Sequence, residues 1–253
     1  MLKLKKLISI AFIIILFISP IAIADDKIDD ETFDLTSLEA SSPIDNINLL
    51  SKYALVLERS TNTVLFEKNG YDKTAMASTT KIMTAIIVLE NSNLSDIVNI
   101  SKKAANTGGS TLGIYSNTNM TMEALLYGLL LRSGNDCAVA IAEHISGNLE
   151  NFSKLMNKKA NELGLKNTNF VTPHGLDSTN HYTTAYDLAT LTNYALNNEI
   201  FKKIVGTKST TIQVGNNLKT INNTNELLRL YYWSLWSKNW FYRKCWKMPC
   251  FSM

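Results

Sequence analysis

Hydrophobic and polar positions divide the chain into blocks with different periods. Leu7 to Ile21 is an almost unbroken apolar run. Residues 25–45 are polar and acidic, with Asp25, Asp26, Asp29, Asp30, Glu31, Asp34 and Glu39 ahead of Pro43. Periodic structure begins near Lys52. Tyr53–Glu58 and Thr63–Glu67 are strand-like runs, and Ser60, Thr61 and Asn62 between them mark a hairpin turn. Apolar residues at helical spacing predict a helix over Ser78–Glu90. Thr121 and Glu123 open another, Met122–Leu131, which stops at Arg132-Ser133-Gly134-Asn135. A third is expected over Asp136–Ile145, with further helices over 150–163 and 184–197 and a strand over Thr210–Val214. Strands at both ends with helices between them predict an α/β (α+β) domain with an antiparallel sheet.

The 253 residues, 45% hydrophobic and 19% charged, suffice for one domain with a real core. A net charge of +3 is too small to argue for nucleic acid as a partner. Lys3, Lys5 and Lys6 precede the apolar run and Ala22-Ile23-Ala24 follows it. This is the order of an export signal, residues 1–24, cut before Asp25. The alternative is an uncleaved anchor, but the run is short for a membrane span. Either way the rest of the chain is expected to be exported. Residues 25–45 read as an acidic flexible linker.

Ser78-Thr79-Thr80-Lys81 carries the most chemistry. A serine and a lysine three apart on a helix share one face. The pair suits a serine nucleophile activated by a neutral lysine. Free N–H groups at a helix start stabilise developing negative charge, and burial there lowers a lysine pKa toward a usable base. On the tetrapeptide alone, a capping serine and a solvated lysine would be the preferred reading. A second constellation, Ser133-Gly134-Asn135, supplies a hydroxyl and an amide in a loop between two helices. They could shuttle a proton and hold a substrate amide. His144, His174 and His181 show no metal-ligand spacing. His174 reads as a structural turn residue, His144 as a packed or capping one, and His181 has no evident partner. Cys137 reads as a small buried side chain.

Together the motifs resemble the serine penicillin-recognising enzymes. Within them the chain is similar to the D-alanyl-D-alanine carboxypeptidases, the low-molecular-mass penicillin-binding proteins. The resemblance runs from about Tyr53 to Arg229. It includes Ala77–Thr84, Leu131–Asp136 with Ala140–His144, Leu163–Thr168, Thr172–Leu176 and Asn223–Asn225. It implies a β-lactamase/transpeptidase-like domain over 46–230, an antiparallel sheet flanked by helices with a helical subdomain. It also implies a division of labour. Ser78 would attack the carbonyl between the terminal D-alanines of a peptidoglycan stem peptide, and Lys81 would take its proton. Ser133 would relay that proton to the leaving amine, and Asn135 would position the peptide. β-Lactams would acylate the same serine, and no metal or organic cofactor would be needed.

The family's third motif, a Lys-Thr-Gly that clamps the substrate carboxylate, is missing. Leu218-Lys219-Thr220-Ile221 has Lys-Thr without Gly and comes too early. The tail 231–253 changes character: Trp233, Trp236, Trp240 and Trp246 all fall in it, with Cys245 and Cys250, four Lys/Arg and no Asp or Glu. A basic aromatic membrane-surface segment is one reading, but the tryptophans do not share a helical face. Back-translating Trp233–Phe251 with AT-biased codons and reading one base later gives Gly-Val-Tyr-Gly-Val-Lys-Thr-Gly-Phe-Thr-Gly-Asn-Ala-Gly-Lys-Cys-Leu-Val. The expectation is therefore an out-of-frame tail after a one-nucleotide shift near Arg229–Tyr232. The later strands and the family's C-terminal membrane anchor would be absent, and activity impaired. Two alternatives stand beside an enzyme of this family. One is a non-catalytic module binding peptidoglycan or β-lactams. The other is a class A β-lactamase, which Ser-Gly-Asn and the setting of Glu162 before Leu163-Gly164-Leu165 disfavour.

Overall fold

The computed structural model describes residues 49–176, 178–226 and 228. The export signal, the acidic linker and the tail lie outside the described residues.

The expected hairpin forms from β1 (Ala54–Leu57) and β2 (Val64–Lys68), antiparallel, with Ala54 opposite Lys68 and Leu57 opposite Val64. Glu58 closes its turn. One carboxylate accepts the backbone N–H groups of Ser60 (3.0 Å) and Thr61 (2.7 Å) and both their hydroxyls. Those donors, led by the Thr61 hydroxyl, pull the Glu58 pKa down to about 2.

Three helices form the centre. A 3-10 turn, Ala77–Thr80, leads into α1 (Lys81–Asn91). A short α2 (Lys102–Ala105) precedes α3 (Met122–Arg132) and α4 (Asn135–Ser146). Every residue of Lys81–Val88, Ala124–Leu131 and Asn135–Ala142 is buried. A helix buried all round belongs inside a core rather than on its surface. Around them lie amphipathic helices. In α5 (Leu149–Glu162), Phe152, Met156 and Ala160 recur every four residues and are the buried set. Next come α6 (Ala185–Ala195) and α7 (Glu199–Gly206), which buries Phe201, Ile204 and Val205. Side chains cap the orphan amides at helix starts: Thr121 accepts from the Ala124 N–H, Thr184 from Asp187, and Asn198 from Ile200 and Phe201.

The strands pair as three two-stranded antiparallel sheets among the described residues. They are β1 with β2, β3 (Ile97–Asn99) with β4 (Asn119–Thr121), and β5 (Ser209–Val214) with β6 (Asn217–Asn222). The sequence pattern indicated neither β3 nor β4, because three residues are too few to show a period of two. It also missed β6, whose only buried residue is Ile221. The Lys219-Thr220 pair lies in that strand. The first helix also starts later than expected. Ser78 belongs to the 3-10 turn, and α-helical geometry begins at Lys81.

Candidate active site

Ser78 and Lys81 meet as their spacing requires. Lys81 Nζ donates to Ser78 Oγ at 2.9 Å and to the His174 carbonyl at 2.8 Å. Lys81 is fully buried, at 0% exposure. Burial pushes its pKa down from 10.5 to about 7, although the nearby Cys137 and Asp136 pull the other way. A lysine so poised is a base at neutral pH, which a solvated one is not. The capping alternative for Ser78 is not what forms: Thr80 occupies the N-cap position of α1, with no side-chain cap bond.

A distant loop makes that burial possible. Residues 171–176 and 178–184 lie over the start of α1, and each contact is specific. Thr84 Oγ1 donates to the Pro173 carbonyl at 2.6 Å. His174 supplies its carbonyl to Lys81, and its ring Nδ1 accepts the Leu176 N–H at 3.1 Å. Burial first, then Lys81 and His181, push the His174 pKa down to about 4, so the ring is neutral. Gly175 has φ +85°, and a Cβ there would sit 1.7 Å from Ala77 O. Only glycine admits that approach. His181, for which the sequence suggested no partner, is buried and doubly bonded. Its Nε2 lies 2.7 Å from Thr80 Oγ1, and its Nδ1 accepts the Val171 N–H at 2.9 Å. His144 departs from the packed reading: it is exposed in the last turn of α4.

The second motif lies at the α3–α4 junction. Ser133 takes left-handed backbone angles, φ 58° and ψ 37°, and is half-buried. A non-glycine residue there is uncommon and marks a constrained turn. Asn135 is the first residue of α4 rather than a loop residue. Its N–H donates to the Ser110 carbonyl and its Nδ2 to the Gly108 carbonyl, both at 2.8 Å. Its Oδ1 is buried and has no hydrogen-bond partner among the described residues. Asp136, which the sequence reading passed over, is fully buried. Its carboxylate accepts the N–H groups of Leu112 (3.0 Å), Gly113 (2.8 Å), Ile114 (3.2 Å) and Cys137 (2.9 Å). Cys137 is the buried free thiol expected, and burial pushes its pKa well up, which makes it inert.

α1 packs directly on α4, the helix that Asn135 opens. Asp136 and Cys137, one and two residues past Asn135, both act on the Lys81 charge. Among the described residues no hydrogen bond joins Ser133 or Asn135 to Ser78 or Lys81. A cleft of about 230 Å³ lined by Ile86, Leu89, Glu90 and Tyr194 shares no residue with this site.

Sequence reasoning passed over Thr80, Asp136, Gly175 and His181 as site components. Asp136 carried a signal, an acid directly after Ser-Gly-Asn with three apolar residues following. His181 and Thr80 carried none, because they lie 101 residues apart.

The chain also matches known proteins. A family model described as "D-alanyl-D-alanine carboxypeptidase" matches residues 38–236. The D-alanyl-D-alanine carboxypeptidase DacF of Bacillus subtilis is 42% identical over 187 residues, which cover 72% of this chain and 48% of that one. DacA of Haemophilus influenzae is 38% identical over 53% of this chain and 36% of its own. The chain thus spans about half or less of these relatives. Among solved structures, a D-alanyl-D-alanine carboxypeptidase from Mycobacterium tuberculosis superposes with a TM-score of 0.72 at 28% identity, over 76% of this chain and 74% of that one. Penicillin-binding protein 5 from Haemophilus influenzae gives 0.66 at 33% identity, over 71% and 54%.

Proposed function

Because the chain belongs to the D-alanyl-D-alanine carboxypeptidase family, a family of serine peptidases, we propose that its Ser78–Lys81 pair performs acyl transfer on D-alanyl-D-alanine peptides. The observation that carries this reading is the 2.9 Å contact between a serine hydroxyl and a fully buried lysine held near pKa 7. Neutral Lys81 takes the Ser78 proton as Oγ attacks the carbonyl carbon between the last two D-alanines of a peptidoglycan stem peptide. The carbonyl π-bond opens to an oxyanion, which the Ser78 N–H at the start of the helical segment stabilises. Collapse expels the terminal D-alanine amine, protonated by way of Ser133, and leaves an acyl-Ser78 ester. Water then hydrolyses the ester with Lys81 again as base. Asn135 holds the peptide amide beside the reacting bond. A β-lactam would enter the same first step, its ring amide taking the place of the scissile bond.

Residues 1–24 are proposed to direct export, with the mature chain beginning at Asp25, as N-terminal sequencing of the secreted protein would show. Among the described residues no helix is long and apolar enough to cross a membrane.

The chain has no Lys-Thr-Gly. In the proposed mechanism the substrate carboxylate then lacks its clamp and the oxyanion one donor, and a lost donor costs about 10²–10³ in rate. We attribute this to an out-of-frame tail over 231–253, which resequencing codons 225–240 checks directly.

Labelled penicillin tests the function. Covalent label on the full chain that S78A abolishes supports acyl transfer, and removing one base so that Lys-Thr-Gly returns should speed labelling by about 10²–10³. Reversible binding indifferent to S78A would instead establish the binding-module reading.

A further inference from the structure

We infer that His181 is a positioning residue that aims the Ser78 backbone N–H through a relay of two hydrogen bonds. The inference rests on the acyl-transfer reading above and adds a part to it.

The proton assignment follows from the donors. Val171 N–H points at His181 Nδ1 at 2.9 Å, so Nδ1 carries a lone pair. In the neutral ring the proton is then on Nε2. Thr80 has one hydroxyl proton, and Oγ1 donates it to the Ala77 carbonyl at 2.7 Å. Thr80 Oγ1 therefore accepts from His181 Nε2–H at 2.7 Å. The relay runs from imidazole to hydroxyl to carbonyl, and every member has its donor or acceptor role filled.

It ends on one particular peptide group. The Ala77 carbonyl and the Ser78 N–H belong to the same rigid plane, so holding the first fixes the direction of the second. Ala77 has φ 45°, a left-handed conformation that costs a non-glycine residue energy and needs outside support. Gly175 abuts the same carbonyl from another side, within the distance a Cβ would fill. The histidine itself is anchored on both flanks. Its own N–H donates to the Ser178 carbonyl at 3.0 Å, Tyr182 pairs with Asn169, and Thr183 pairs with Thr74. Its ring meets Phe170 edge-on, 6.1 Å between centroids. An imidazole so fixed is a rigid strut, whereas a capping side chain on the turn itself would move with it.

The test separates the two ring nitrogens. In H181Q the side-chain amide reaches the Nε2 position and can still donate to Thr80. In H181N it reaches only the Nδ1 position, keeping Val171 and losing Thr80. The readouts on the full chain are the rate at which labelled penicillin acylates Ser78, the melting temperature, and the ring-nitrogen NMR shifts of His181. H181N and T80V are expected to slow acylation about tenfold or more, below the loss for removing a donor outright. H181Q should recover most of the rate, and H181N/T80V should be no slower than either single variant. The NMR spectrum should show the Nε2–H tautomer, with that nitrogen shifted in T80V. Equal loss in H181Q and H181N that tracks melting temperature would overturn the relay, as would unchanged rates in all variants. Absence of label on the unaltered chain would sink the acyl-transfer reading instead. The NMR arm would still decide the relay, because an Nδ1–H tautomer excludes it.

Discussion

The two turns that carry the candidate chemistry are built alike and held differently. Ala77 before Ser78 and Ser133 before Asn135 both sit in the left-handed region, with φ 45° and 58°. Each opens a buried helical segment. The first turn is held from outside by residues 171–176 and 178–184, which reach it through carbonyls, a glycine and an imidazole. The second reaches out from its own helix: Asn135 donates to the Gly108 and Ser110 carbonyls, and Asp136 gathers three amides of the Leu112–Ile114 loop. The surroundings differ accordingly. Lys81 donates to a hydroxyl and a carbonyl, and burial pushes it toward the neutral amine. The Asp136 carboxylate accepts four backbone N–H groups. The proposed base sits where burial disfavours its charged form, and the residue that shapes a loop sits where backbone amides fill its oxygens.

Breaking the outside support should have the largest effect. In G175A a Cβ would fall on the Ala77 carbonyl, and φ +85° adds about 1–2 kcal/mol of backbone cost. The loop must lift, exposing Lys81, and penicillin acylation should fall about a hundredfold or more for lost alignment. Labelling kinetics beside a thermal melt read both. Wild-type acylation by G175A would show that the loop does not set the first turn.

Breaking the inside support should cost stability first. D136N keeps one acceptor oxygen but brings an amide against backbone N–H groups. About 2–3 kcal/mol is expected, since hydrogen bonds to a charged group are worth about 1.5–3 kcal/mol each. Urea unfolding checks it. A D136N chain as stable as the parent, with normal acylation, would mean the Leu112–Ile114 loop is held by other contacts.

Acidity sharpens the contrast most gently. The base must be the neutral amine, so below about pH 7 acylation should fall roughly tenfold per pH unit as Lys81 gains its proton. The stability sign is opposite to that of a salt-bridged lysine. The folded pKa lies below the unfolded 10.5, so between about 7 and 10.5 the unfolded chain holds more protons. This group's contribution therefore improves as pH rises through that window. A labelling rate flat from pH 5 to 8 would show that Lys81 is not the base.

Much of this was legible in the sequence. The α1, α3, α4 and α5 helices announced themselves by apolar spacing and by caps such as Thr121. The hairpin was marked by Ser60-Thr61-Asn62, where Glu58 now closes the turn. Ser78 with Lys81 and Ser133 with Asn135 were found because each pair is local in the chain. The β3, β4 and β6 strands were not, because their pairing rests on partners rather than on a period of their own. The single antiparallel sheet expected appears instead as three separate pairs among the described residues.

The sequence by itself determined which residues could do chemistry, because spacing along a helix is fixed by backbone geometry. It also determined the family. Only the tertiary structure decided the state of those residues. Lys81 is pushed toward the neutral amine because Pro173, His174 and Gly175 close over the start of its helix from about ninety residues away. Desolvation belongs to the packed surroundings of a group and is written in no short stretch of chain. The same reason separates Thr80 from an ordinary helix threonine and His181 from an ordinary loop histidine: each takes its role from the other.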